Sequence, residues 1–456
     1  MRFPYMITFG ALLTIATLAP AFGATIPESV KEVVRNRVDN GQASMVIALV
    51  DADGVDYFAY GKTALDGGTT PDENTVYEIG SITKVFTAIL LVDMKNRGEV
   101  ALDDPIGKYL PEGAKSPQRD GKSITLERLS EQTSGLPRMP TNFRPKDPGN
   151  PFADYTPEQL YAFLSGYELK RGIGERFEYS NVGVGLLGNL LERASGKSYE
   201  QLTVERIADV LGMPDTRVVF TEGMTQRLAP GYIGTNRSQN WDLPTLAGAG
   251  ALRSTAKDMV TFIQANLGLV ETPLRAAMDE THRPRVDAGA PNMRIGLGWF
   301  TLKGEKGPAV IWHNGGTGGY RTFAGFAPET RTGAIVLCNS GGEGHDDIGF
   351  YLLNDSLPMK NTVKRTEITL AEPVLKSYEG KYQLGPGTIL RVDLRGGNLF
   401  AQLATQPAFR IYPEAETEFF LKDVDAQISF KKDVDGKVTE LVLHQNGRNM
   451  PAKRIE

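Results

Sequence analysis

Tyr77-Glu-Ile-Gly-Ser81-Ile-Thr-Lys84 runs without a break into Val85-Phe-Thr-Ala-Ile-Leu-Leu-Val92. After Lys84 only Thr87 interrupts the apolar residues, so the pattern predicts a helix buried on every side rather than one with a wet face. Gly98 is placed to end it. Ser81 and Lys84 stand at i and i+3, so on a helix their side chains meet. An ammonium near the start of a buried helix has little water around it, so it is either paired or shifted towards the neutral amine. A serine hydroxyl beside such an amine is an activated nucleophile, and N–H groups at a helix N-terminus favour negative charge nearby.

S-x-x-K is short, and the chain carries two further matches, Ser254-Thr-Ala-Lys257 and Ser429-Phe-Lys-Lys432. The first reads as a helix start, with Thr255 and Asp258 in capping-box spacing. The second lies in an alternating, strand-like run. Neither precedes an apolar run like that after Lys84.

At 456 residues the chain is too long for one ordinary domain. A net charge of -5, with no block of clustered Lys or Arg, argues against nucleic-acid binding. Residues 1–23 have the organisation of a secretory signal: Arg2, an apolar core over 6–18, and Ala21-Phe-Gly23 before the cleavage point. The apolar run is shorter than a membrane span requires, so the expectation is a secreted or periplasmic protein with no membrane-spanning segment after processing. The single cysteine, Cys338, excludes an intramolecular disulfide and reads as a small buried hydrophobe in a strand.

Around the Ser81 stretch the chain reads as an α/β domain over 24–356. A helix over 27–40 and a hairpin over 44–61 precede it. A loop-rich helical region follows over 99–175, then helices over 181–194 and 203–211. A capped helix over 255–266 leads to strands over 295–302, 308–312, 320–327 and 332–338. The sheet is thus expected to be completed from both ends of the domain. Residues 357–377 read as a linker, and 378–456, with short strands and repeated turn signals, as a small all-β domain.

Two more motifs bear on chemistry. Tyr179-Ser-Asn181 opens a buried helix and is the only Y-x-N in the chain. A tyrosine hydroxyl near an ammonium falls in pKa and shuttles protons, while asparagine offers a donor and an acceptor to an amide. His313-Asn-Gly-Gly-Thr-Gly-Gly319 follows an apolar strand. Its glycines let a ligand lie against the backbone and expose N–H groups to a developing oxyanion, while His313 offers positive character or a polar contact. Gly183-Val-Gly-Leu-Leu-Gly188 matches a dinucleotide fingerprint but lies inside a helix, so its glycines are expected to serve close packing. No serine has G-x-S-x-G around it. His282, His313, His345 and His444 lack ligand spacing, so neither a metal nor a cofactor is expected.

In their order along the chain, Ser81-x-x-Lys84, Tyr179-x-Asn181 and His313-x-Gly315 resemble the penicillin-recognising serine hydrolases. That family includes class C β-lactamases, D-alanyl-D-alanine peptidases, D-aminopeptidases and related esterases. Glu131-Gln-Thr-Ser-Gly-Leu-Pro137 and Gly296-Leu-Gly-Trp299 look like further segments of it. The resemblance implies a β-lactamase/transpeptidase-like fold and an acyl-enzyme on Ser81. Lys84 would assist activation, Tyr179 would shuttle protons, and Asn181 would hold the acyl-side amide. His313, Gly315 and Gly316 would bind substrate, with the oxyanion held by the N–H groups of Ser81 and Gly316. Class C β-lactamases usually carry Lys-Thr-Gly where this chain has His313-Asn-Gly315, and a histidine there resembles certain D,D-peptidases and D-aminopeptidases; the substrates the family resemblance implies are a β-lactam or a D-amino-acid peptide or ester. The C-terminal segment resembles a lipocalin-like β domain found in the same family, for which cell-wall contact is one expected role.

Overall fold

The computed structural model describes residues 23–342, 344–360, 365–422, 426–445 and 448–456. All but Gly23 of the expected leader therefore lies outside the described residues.

An eight-stranded sheet forms the frame. Its order runs Val55–Gly61, Ser44–Val50, Thr332–Cys338, Arg321–Ala327, Val310–Gly316, Phe300–Leu302, Met293–Ile295 and Val286–Asp287. The pairings are antiparallel, and the strands come from both ends of the hydrolytic region, as the sequence implies. Alternation separates two apolar faces. Met45, Ile47, Phe323, Val336 and Cys338 pack under the helices Glu28–Asp39 and Asp346–Leu353. Val46, Ala48, Ala324, Ile335 and Leu337 face the helical half of the domain. Burial on both faces explains why Ser44–Val50 reads as a continuous apolar run.

The helix Thr83–Asn96 is buried from Thr83 to Met94, with Phe86 stacked on Phe262. Gly98 lies just beyond its end with a positive φ of 73°. Ser81 is not in this helix but in the single 3-10 turn Gly80–Ile82 that feeds it. The run over 295–302, expected as one strand, is two, because Gly296-Leu-Gly-Trp299 turns inward. There Gly298 has φ +77°, and a Cβ on it would come within 3.0 Å of the Lys84 carbonyl. The 203–211 helix is interrupted by a π-helical turn over Val204–Ala208. The strand expected over 308–312 extends to Gly316 and carries the glycine motif.

The glycines of the dinucleotide look-alike serve packing. Gly188 faces Gly248 so closely that a Cβ on it would lie 2.9 Å from the Gly248 Cα. This contact seats the short turn Ala247–Ala249 against the Asn181–Ser195 helix and brings it to Lys84.

A closed eight-stranded barrel occupies Gly380–Gly385 to Arg448–Arg454. Its interior is filled by Tyr382, Phe419, Ile428, Phe430 and Leu441, and Tyr378 closes one end by donating its hydroxyl to the Glu416 carbonyl. The segment expected as an irregular linker contains the helix Glu372–Ser377, whose Leu375 joins that core.

Two backbones meet where the sheet approaches Ser81. A Cβ on Gly315 would sit 1.9 Å from the Ile79 carbonyl oxygen, and one on Gly80 would sit 2.7 Å from the Gly316 nitrogen. The Thr322 hydroxyl donates to the same Ile79 carbonyl at 3.0 Å. Gly315→Ala should therefore destabilise the hydrolytic domain by about 3 kcal/mol or more. Gly166→Ala, with nothing within 4 Å, should change stability by only a few tenths. Denaturant titration of both variants checks this, and equal stabilities would contradict the close contact.

Candidate active site

Lys84 is fully buried, and its Nζ lies 2.7 Å from the Ser81 Oγ and 2.6 Å from the Ala249 carbonyl oxygen. No carboxylate pairs with it among the described residues. Burial, reinforced by the positive charge of Arg138, holds its pKa well below the ordinary lysine range. Of the two possibilities left open by the sequence, paired or shifted towards the neutral amine, the structure takes the second. A neutral amine donates to the Ala249 carbonyl and keeps its lone pair for the Ser81 proton. Ser81 itself is half-buried, so its hydroxyl remains reachable.

Tyr179 stands beside Ser81, close enough for the serine hydroxyl to favour its ionised form. The Lys84 Nζ is 4.9 Å from the centre of the Tyr179 ring. The expectation that a nearby ammonium lowers the tyrosine pKa is corrected here. Burial dominates and raises it to about 12, while Ser81 and the charge of Arg138 offset only part of that. Tyr179 is thus a phenol at neutral pH, able to donate a proton rather than to take one first.

Both sides of Tyr179 are fixed by the segment noted at 131–137. Gln132 adopts φ +63°, unusual for a non-glycine residue. Its side-chain oxygen accepts from the Ser180 N–H at 2.7 Å and its carbonyl from the Glu178 N–H at 2.9 Å. Ser180 donates its hydroxyl to the Pro137 carbonyl at 2.6 Å and caps the next helix by accepting from the Gly183 N–H at 2.9 Å. Asn181, the first residue of that helix, is half-buried, with Nδ2 3.8 Å from the Met139 sulfur.

His313 is buried, its ring centre 6.3 Å from that of Tyr179. Its Nδ1 lies 2.6 Å from the Asn314 carbonyl, which can only accept, so Nδ1 carries the proton. Burial and the proximity of Lys84 lower its pKa to about 3, against the raising effect of that bond. The positive character considered for His313 is therefore absent at neutral pH, and a neutral imidazole with an acceptor Nε2 takes its place. Asn314 faces the other side of the sheet, donating to Asp346 at 2.6 Å. Beyond Trp312 the strand has lost its Phe300–Leu302 neighbour, and the pairing that continues to Gly316 is only on the Arg321–Ala327 side. Residues 313–316 thus keep one edge that an extended peptide can pair with.

The other S-x-x-K serines fall elsewhere. Ser254 is buried in a strand with its hydroxyl 2.8 Å from that of Thr216. Ser429 lies on a barrel strand, bonded to Glu418 and His444. Ser81, Lys84, Tyr179 and His313 are gathered at one point, with Asn181, Gly315 and Gly316 at its edges. Two contributors escaped the sequence reading. The Ala249 carbonyl carries no side-chain signal, and Arg138, directly after Pro137, lies with its guanidinium carbon 5.1 Å over the Tyr179 ring.

The beta-lactamase family profile matches residues 30–355. The chain belongs to the beta-lactamase family. A second profile, described as a domain of unknown function (DUF3471), matches 364–454 and so spans the barrel. The D-alanyl-D-alanine-carboxypeptidase/endopeptidase AmpH of Escherichia coli is 31% identical over 353 residues, 73% of this chain and 90% of that protein. Penicillin-binding protein 4* of Bacillus subtilis is 23% identical over 438 residues, 90% and 94% of the two chains. Among solved structures, a beta-lactamase/D-alanine carboxypeptidase from Yersinia pestis superposes with a TM-score of 0.62 at 26% identity, covering 69% of this chain and 92% of its own. A class C beta-lactamase at 21% identity, with a TM-score of 0.63 over 73% and 96% of the two chains, shares the fold. Membership of this family makes the protein a serine hydrolase.

If the amine of Lys84 takes the Ser81 proton, acylation requires its neutral form. The second-order acylation rate should then rise with pH to a plateau reached well short of 10.5, the ordinary lysine value, and descend only when Tyr179 ionises at about 12. Lys84→Met should lower the plateau about 100- to 10,000-fold. Stopped-flow acylation across pH measures both, and an ascending limb at the ordinary lysine value would contradict the neutral amine.

Proposed function

We propose that this hydrolase forms an acyl-enzyme on Ser81 with an amide of the D-alanyl-peptide or β-lactam type. The observation that carries the reading is the uncompensated, buried amine of Lys84 at 2.7 Å from the serine hydroxyl. In the first step the Ser81 oxygen attacks the amide carbonyl while its proton passes to the Lys84 Nζ. The carbonyl oxygen becomes an oxyanion, held by the N–H groups of Ser81 and Gly316. Collapse expels the amine, which takes its proton from the Tyr179 phenol, and Lys84 returns a proton to the phenolate. Asn181 holds the acyl-side amide, and the substrate backbone lies along the open edge of 313–316. Water then hydrolyses the ester to release the acid and free Ser81.

The neutral His313 distinguishes between the two substrate types. Class C β-lactamases usually place a lysine there, and this site lacks that charge. The reading therefore puts D-alanyl peptides first and efficient β-lactam turnover second. E. coli AmpH, named as a carboxypeptidase and endopeptidase, supports the same order. The leader-like start of the sequence supports export, where wall peptides are met. No described helix is long and apolar enough to cross a membrane.

Incubation of the mature protein with a fluorescent penicillin, a chromogenic cephalosporin, a p-nitrophenyl ester and a D-alanyl-D-alanine peptide separates the readings. Intact mass and turnover are recorded for wild type and Ser81→Ala. Release of D-alanine by the wild type alone is the expected result. Ester turnover without peptide turnover would make it an esterase, and stable acylation without turnover a penicillin-binding sensor. Full activity in Ser81→Ala would sink the acyl-serine mechanism.

A further inference from the structure

We propose that Arg138 is a specificity-determining residue that receives a carboxylate carried on the acyl side of the substrate. The inference rests on the acyl-Ser81 reading and adds to it a substrate feature that the catalytic residues do not select.

Arg138 is exposed at the mouth of the site, its guanidinium carbon 5.1 Å from the centre of the Tyr179 ring. Its side chain makes no ion pair or hydrogen bond with any described residue. Three arginines that approach the core of this domain are matched to carboxylates: Arg37 to Asp347 at 2.6 Å, Arg253 to Glu78 at 3.3 Å, and Arg227 to Asp215 at 2.6 Å. An unmatched cation next to an amine that must stay neutral is electrostatically demanding, and an incoming anion relieves that demand.

The backbone fixes where the anion must be. The Arg138 carbonyl accepts from the Asn181 N–H at 2.9 Å and the Val182 N–H at 3.3 Å, locking the residue to the head of the Asn181 helix. Asn181 is the residue assigned to the acyl-side amide, so the guanidinium borders the acyl portion rather than the leaving group. Stacking on Tyr179 restrains the fork before substrate arrives, and a planar guanidinium suits a carboxylate bidentately. The favoured substrate is therefore a peptide with an acidic side chain, or an amide with a free carboxylate, on the acyl side of the scissile bond.

Two substrate pairs differ only in this group: benzylpenicillin against its α-carboxy analogue, and N-acetyl- against N-succinyl-D-alanyl-D-alanine. Acylation of Ser81 is followed by intact mass for the penicillins, and kcat and KM by D-alanine release for the peptides. The wild type should favour the carboxylate-bearing member of each pair. Arg138→Met, which keeps the stacking but not the charge, should remove about 10- to 100-fold of that preference, mainly through KM. Arg138→Lys should retain part of it. Equal rates within each pair for the wild type, or an Arg138→Met loss identical for both members, would overturn the proposal while leaving acylation intact. Absence of any acyl-Ser81 would instead remove the reading beneath it.

Discussion

Removal of water from the Lys84 amine is the constraint around which the site is built. A lysine at the start of a helix buried from Thr83 to Met94 cannot keep its ammonium hydrated, and no carboxylate among the described residues takes the place of water. The cost of a buried charge is avoided by neutralisation, and the resulting amine is a base only if something nearby has a proton to give. The fold provides Ser81 through the turn that precedes the helix and Ala249 through the Gly188 and Gly248 contact. It adds the glycine strand through the approach of Gly315 to Ile79. Each of these contacts brings backbone close to backbone, which fixes the catalytic atoms without relying on flexible side chains.

The same low-polarity setting imposes opposite shifts on its neighbours. Burial raises the Tyr179 phenol to about 12, lowers the His313 imidazole to about 3 and holds the Lys84 amine well below its ordinary range, so each group is pushed towards its neutral form. A neutral triad has an evident order of proton movement, serine to amine and phenol to leaving group, whereas a charged one would have to be discharged first. Arg138 places positive charge at the rim, where solvent screens it before substrate arrives. It acts most strongly when substrate displaces that solvent.

Much of this was legible in the sequence because it follows from residue type and period. Completion of the sheet from both ends of the domain was legible in the apolar, strand-like runs within 44–61 and 308–338, and the decoy serines were separable because nothing like Val85 to Val92 follows them. Gly183-Val-Gly-Leu-Leu-Gly188 could be assigned to packing because no strand preceded it. The failures share a cause. Whether Ser81 lies in the helix or in the turn before it, and whether 295–302 is one strand or two, depends on backbone contacts with distant segments. The direction of the Tyr179 shift depends on a competition between burial and its polar neighbours Ser81 and Arg138, which burial wins. The Ala249 carbonyl is a backbone atom from a region with no motif, so nothing in its residue type could announce it.

The barrel illustrates how packing limits function. A closed eight-stranded barrel has room to hold one small ligand only if its inward residues leave a space. Here Tyr382, Phe419, Phe430 and Leu441 meet at the centre, and Tyr378, brought in by the Glu372–Ser377 helix, seals an end through its bond to the Glu416 carbonyl. The segment that joins the two parts of the chain is therefore also part of the barrel's core, which ties the barrel to its connection. Arg365 extends this on the hydrolase side, its N–H donating to the Asn40 side chain at 2.9 Å while its guanidinium pairs with Glu414. Asn40 follows the helix that covers the back of the sheet, the face opposite the Lys84 helix. Among the described residues the barrel's interior is filled by Tyr382, Phe419, Phe430 and Leu441, which leaves its outer surface for contact with another molecule.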